Sequence, residues 1–207
     1  MKKQTAAMLG VCGLASSAFG QNFNLWLEPS GMSPEGTFTV SVYGDSDLGG
    51  VYVSGVMGLQ VSTLSGQGRV SNISWDFDLV GNYLQFDEVG YLGDGMHGEV
   101  GYAWFVGCGI FPCDTTYLGA PIGHFTIEVD PDAFETYQID LIAGPDLHPA
   151  YPYTIEVADP LGNLYNDSQG SLTLTGATVS VVPAPGLVSM MTMCAMLSSR
   201  RLRRKED

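Results

Sequence analysis

Residues 37–43 read Thr37-Phe38-Thr39-Val40-Ser41-Val42-Tyr43. Apolar side chains occupy every second position and small polar ones the positions between. Successive side chains of a strand point to opposite faces, so this pattern describes a strand with one face on a core and one toward water. Pro34-Glu35-Gly36 precedes it as a turn. The same alternation recurs at Phe23 to Leu27, Gly58 to Leu64, Val70 to Trp75, Tyr83 to Phe86, Gly98 to Phe105, Gly123 to Val129, Tyr137 to Ile142, Tyr153 to Val157 and Ser171 to Val182. Turn residues separate these runs: Gly49-Gly50, Gly93-Asp94-Gly95, Asp130-Pro131-Asp132, Gly144-Pro145 and Asp159-Pro160-Leu161-Gly162. Short strands joined by Gly, Pro and Asp turns, with little helical periodicity, predict an all-β chain. The expected fold is a single antiparallel β-sandwich of about nine to ten strands, a jelly roll or a related sandwich, spanning residues 21–182.

The ends of the chain carry a different chemistry. Lys2 and Lys3 precede an apolar run from Ala6 to Ala15, and Ala18-Phe19-Gly20 supplies small residues before Gln21. That order is the order of a secretory signal peptide, assigned to residues 1–20. At the other end, residues 183–207 combine a proline motif, a marginal apolar stretch from Leu187 to Ser199 and a basic cluster of Arg200, Arg201, Arg203, Arg204 and Lys205. Prolines stop the preceding strand, since they cannot donate to a ladder. The apolar stretch reads as a hydrophobic helix, with its basic end held inside the cell and the body outside.

The motif Val182-Pro183-Ala184-Pro185-Gly186, the hydrophobic helix and the arginine cluster together resemble the PEP-CTERM class of bacterial C-terminal sorting signals, with Ala184 where that class has Glu. The resemblance implies recognition by a membrane transpeptidase of the exosortase type, cutting near the motif after transient anchoring in the membrane. A plain single-span anchor is the alternative. The body bears its own, looser resemblance. The Pro34-Glu35-Gly36 turn, the strand Thr37-Phe38-Thr39-Val40 and the later Ile122-Gly123-His124-Phe125-Thr126-Ile127 are similar to the cohesin and carbohydrate-binding-module sandwich.

Charge excludes some partners. From Gln21 to Gly186 there are twenty Asp and Glu, one Arg (Arg69) and no Lys, a formal charge of −19. Nucleic acid is excluded as a partner, because binding phosphates takes clustered Lys and Arg. Anionic membrane surfaces are disfavoured for the same reason.

Candidate chemistry is sparse. Cys108 and Cys113 are the only cysteines of the body and, in an oxidising exterior, are expected to form a disulfide. Their spacing does not fit a redox motif. A zinc site would need further ligands, and His97, His124 and His148 show no ligand spacing. The pairs Asp45/Asp47, Asp76/Asp78, Asp87/Glu88 and Asp130/Asp132 suit solvated turns, with calcium at one loop as the alternative. Nothing selects two of twenty carboxylates as a glycosidase pair. Gly-Val-Tyr-Val-Ser-Gly at 50–55 is not the nucleophile elbow of a serine hydrolase. No catalytic residue and no cofactor is assigned. Trp26, Trp75 and Trp104 are expected to pack within the sheets, an exposed sugar-stacking face being the alternative. The expected function is that of an exported, non-enzymatic cell-surface or extracellular-matrix protein. The alternatives are a carbohydrate-binding module engaging extracellular polysaccharide and, behind it, a secreted hydrolase.

Overall fold

In the computed structural model, the alternation at residue 37 becomes β2 (Thr37–Ser46), in which Phe38, Val40 and Val42 are buried while Thr37, Thr39, Ser41 and Tyr43 face outward. The structure describes residues 21–31, 36–65, 69–87, 89–104, 115–129 and 135–181. The other strands are β1 (Asn22–Pro29), β3 (Val51–Ser65), β4 (Val70–Phe77), β5 (Tyr83–Asp87), β6 (Tyr91–Gly93), β7 (Met96–Trp104), β8 (Pro121–Val129), β9 (Glu135–Ala143), β10 (Ile155–Ala158), β11 (Leu164–Asn166), β12 (Ser171–Thr175) and β13 (Ala177–Val181). A single helical turn, α1 (Gly144–Leu147), lies between β9 and β10.

These strands form two sheets. The first has five strands in the order β12-β1-β2-β8-β4. The second has eight and is organised on the long β3, which pairs with β7 along one flank. Its other flank takes β10 at Val51–Gly55 and then β9 from Met57 onward. A register shift opposite Glu156 and Val157 turns Tyr52 and Gly55 to the same, inner face despite their odd spacing. One core lies between the sheets. It joins Phe23, Leu25, Phe38, Val40, Val42, Ile73, Trp75, Phe125 and Ile127 of the first to Tyr52, Met57, Leu59, Val100, Tyr102, Tyr137, Ile139 and Ile155 of the second. Each such side chain contributes on the order of 1.5–3 kcal/mol by leaving water.

The all-β sandwich is the expected fold, and two details differ. Among the described residues the strands number thirteen rather than nine or ten, because β6 and β11 are three-residue elements without room to alternate, and residues 171–181 form two strands. At Gly176 the chain passes from one sheet to the other. A Cβ there would stand 2.4 Å from the Ile139 carbonyl oxygen, so only glycine allows the crossing. The sandwich is also not wholly antiparallel, since β1 and β12 run parallel from Asn22↔Ser171 to Trp26↔Thr175. The motif glycine Gly123 has its own reason: the Trp75 ring lies over it, 2.4 Å from where a Cβ would be.

The signal peptide, the Val182–Gly186 motif, the hydrophobic helix, the basic cluster and the Cys108–Cys113 pair lie outside the described residues. Among those described, no helix is long and apolar enough to cross a membrane.

Candidate functional site

The outer face of the five-stranded sheet collects the side chains that alternation turns away from the core. Register sets them in two neighbouring rows. In one, Trp26 of β1 stands opposite Tyr43 of β2, and Tyr43 opposite Pro121 of β8. The Trp26 and Tyr43 rings stack, with centroids 5.6 Å apart and planes 15° from parallel, and the indole Nε1–H donates to Glu28 Oε1 at 3.0 Å. In the other row Glu28 faces Ser41, Ser41 faces His124, and His124 faces Asp76. His124 stands between two carboxylates. Its Nδ1 is 3.0 Å from Asp78 Oδ2, and its Nε2 is 3.8 Å from Asp76 Oδ2. The result is an aromatic strip beside a polar strip on one sheet face. Side chains of that kind can stack on an apolar sugar face and hydrogen-bond its hydroxyls.

The three tryptophans divide between the two readings. Trp75 is buried, edge-on to Phe77 and packed on Phe125 at 4.3 Å between centroids. Trp104 is half-buried at the end of β7. Trp26 alone faces outward on the sheet, and its ring is stacked against Tyr43 rather than laid beside it as a level platform.

The opposite outer face carries a second polar group. Ser54 donates to Glu156 Oε2 at 2.9 Å and lies 2.9 Å from the Tyr153 hydroxyl, while Tyr151 donates to Glu99 at 3.0 Å. Ser54 belongs to the 50–55 stretch, and its hydroxyl meets a carboxylate rather than a histidine.

The remaining histidines are apart. His97 is fully buried, edge-on to Phe125, with Nε2 3.6 Å from Asp87 Oδ1. His148 accepts from the Ala150 N–H through Nδ1 at 3.1 Å. Among the described residues, no group of three or more His, Cys, Asp or Glu is placed to hold a metal ion.

The carboxylate pairs serve their own turns. Asp45 Oδ1 accepts from Ser46 N at 2.7 Å, Asp47 from the backbone and side chain of Asn22, and Asp87 from Gly90 N at 3.2 Å. Glu88, Asp130 and Asp132 lie outside the described residues. Asp87 lies near the buried His97, whereas Asp76 and Asp78 both meet one further ionisable group, His124. Their spacing of two puts both on one face, which was legible. The arrival of His124 beside them depends on β4–β8 register, which no local pattern encodes.

The core tyrosines are the most perturbed groups. Tyr52, Tyr83 and Tyr102 all have hydroxyls pushed above their ordinary ionisation range, in each case chiefly by burial away from water. Tyr52 is tied in: its hydroxyl accepts from Gly44 N at 2.9 Å and lies 2.7 Å from Gly44 O and 2.9 Å from Ala120 O as donor. Tyr83 donates to Tyr52 O at 3.0 Å and accepts from Thr116 N at 3.0 Å. These bonds lock strand ends and are structural.

No protein-family model matches the chain, and no curated protein matches it. Among solved structures it is similar to the seventh ScaB type I cohesin of Pseudobacteroides cellulosolvens, at 10% identity over 79% of this chain and 94% of that one, with a TM-score of 0.41. It is also similar to the sixth cohesin of Acetivibrio cellulolyticus scaffoldin B, solved in complex with a dockerin, at 10% identity over 75% and 96% and a TM-score of 0.36. A third is a type I cohesin–dockerin complex from Clostridium thermocellum, at 9% identity over 86% and 97% and a TM-score of 0.38. No residue role is carried from these proteins to this chain.

Proposed function

We propose that the chain is an exported, non-enzymatic binding module of the cell surface or extracellular matrix, delivered by an exosortase-type system acting at Val182–Gly186. The observation that carries this reading is the span of the described strands. β13 ends at Val181, paired with Glu135, one residue before the proline motif. At the other end β1 begins at Asn22, one residue after the Gln21 at which the leader would be removed. Loss of both end segments would therefore leave every described strand in place. The acidic body is suited to an ionic exterior, where its charge is screened and keeps copies apart.

The aromatic and polar strips on the five-stranded sheet favour polysaccharide as what the module meets. The paired Trp26 and Tyr43 rings would supply an apolar border, and Glu28, Ser41, His124 and Asp76 would supply hydrogen bonds.

The test follows the full-length precursor in cells with and without an exosortase-type transpeptidase. The expected product has its C-terminus near Pro183 only when the transpeptidase is present. Gln at Arg200, Arg201, Arg203 and Arg204 should delay processing and weaken membrane retention, since so marginal a helix depends on flanking charge for its orientation. An unchanged C-terminal mass and fractionation in that variant would overturn the reading.

A further inference from the structure

The body's single cation lines a cavity. At the end of the sandwich where β3 finishes, an open pocket of about 470 Å³ lies between Gln60, Ser62 and Thr63 of β3, Arg69 and Val70 at the start of β4, and Asp94 in the β6–β7 turn. The volume lies within the range of small-ligand sites, roughly 300–1,000 Å³. Among the described residues Arg69 forms no ion pair, although the body holds twenty carboxylates. The rim is fixed: Gln60 Nε2 donates to Asp94 O at 3.1 Å and to Val61 O at 3.2 Å, which ties the turn to β3. Asp94 holds the left-handed conformation, φ 49°, that this turn requires.

We propose that this cavity binds a hexuronic-acid unit of an acidic polysaccharide, with its carboxylate on Arg69. A guanidinium presents paired donors that match the two oxygens of a carboxylate. Around it stand hydroxyls, an amide and one carboxylate. These groups pair with the hydroxyls of a sugar ring, which both donate and accept. A neutral sugar offers the guanidinium no charged acceptor. A phosphate dianion concentrates two charges on one group beside Asp94, where a hexuronate brings one per ring. An acidic peptide matches the carboxylate but has no ring hydroxyls for Ser62, Gln60 and Asp94. The inference goes beyond surface display, and its failure would leave processing near Pro183 as a separate result.

The experiment titrates the full chain, by calorimetry or backbone NMR, with trigalacturonate, galactotriose and triglutamate. Trigalacturonate is expected to bind, with shifts confined to residues around Gln60, Arg69 and Asp94, and galactotriose to bind at least tenfold more weakly. Arg69→Gln should weaken trigalacturonate at least tenfold, the loss expected for a charged hydrogen-bond pair. Its melting temperature should stay unchanged, because Arg69 is exposed. Arg69→Lys should retain part of the binding. Absence of trigalacturonate binding, equal binding of galactotriose, equal binding by Arg69→Gln, or triglutamate binding as tightly at the same residues would each overturn the proposal.

Discussion

Tyr52 and Tyr102 pack edge to face in the core, ring centroids 6.1 Å apart, and both are essentially inaccessible to water. Their hydroxyls differ. Tyr52 OH is hydrogen-bonded to the backbone of Gly44 and Ala120, whereas Tyr102 OH is buried with no partner. Replacing each by Phe removes one oxygen, and the two losses should have opposite signs. Tyr52→Phe leaves the Gly44 N–H and a carbonyl buried without their partner, which costs about 1–3 kcal/mol. Tyr102→Phe removes a hydroxyl that was desolvated on folding and gained no bond. Set against the small void left behind, it should stabilise by about 1 kcal/mol. The variants should then differ by about 3 kcal/mol, or roughly 6–12 °C in melting temperature for a chain of this size. Urea unfolding of residues 21–182, followed by tryptophan fluorescence, gives both values if the m-value is unchanged. If Tyr102→Phe destabilises as much as Tyr52→Phe, the orphan hydroxyl is a misreading, and burial rather than pairing governs both sites.

Two further outcomes are expected of the same body. Tyr52, Tyr83 and Tyr102 have raised folded-state pKa values, so their contribution is complete below the unfolded value near pH ~10 and is lost as pH rises past it. The last tyrosines to ionise should do so together with the loss of circular dichroism above that pH, and ionisation of all ten tyrosines in a still-folded protein would contradict this. The charge of −19 with one Arg leaves self-repulsion to be screened from outside. Raising sodium chloride from about 0.01 M to 1 M shortens the Debye length from roughly 30 Å to 3 Å and should raise the melting temperature; a flat response would mean the carboxylates do not feel one another.

Local alternation located the strands that are long enough to repeat. Phe38, Val40 and Val42 face the core as their spacing requires, and the 58–64 run lies within β3. β3 itself begins earlier, at Val51, because a bulge there breaks the two-residue period and hides the first part of the strand. The break at Gly176 was hidden for another reason. Apolar and polar residues alternate through it, and only the close approach of Ile139 shows that the chain changes sheets. The parallel β1–β12 pair was equally closed to a reading of local pattern, since the direction of pairing is set by tertiary path. Sites fared in the same way. Trp75 lies in the core as expected of a strand tryptophan, while Trp26 became part of a surface strip through the cross-strand register that sets it on Tyr43.

The acidic composition also has a local meaning that net charge conceals. A body without lysine cannot satisfy its turns and strand ends with cation–carbonyl contacts, and here short carboxylates meet backbone donors instead. Asp167 Oδ1 accepts from Thr154 N at 2.7 Å and Ile155 N at 2.8 Å, fixing the entry to β10 across thirteen and twelve residues of chain. Asp159 closes its turn by accepting from Leu161 N and Asn163 N, and the Asn163 side chain on it leads the forces that lower its pKa. Asp47 holds Asn22 at the start of β1, and Asp45 caps Ser46 at the end of β2. A charged acceptor on a backbone N–H is stronger than a neutral one and needs no counter-ion in the fold. Carboxylates so engaged cannot be exchanged for basic residues, which have no acceptor to offer. The strand-ending turns therefore favour acids whatever the exterior demands, and Arg69, with no ion pair among the described residues, is the exception that chemistry of this kind does not explain.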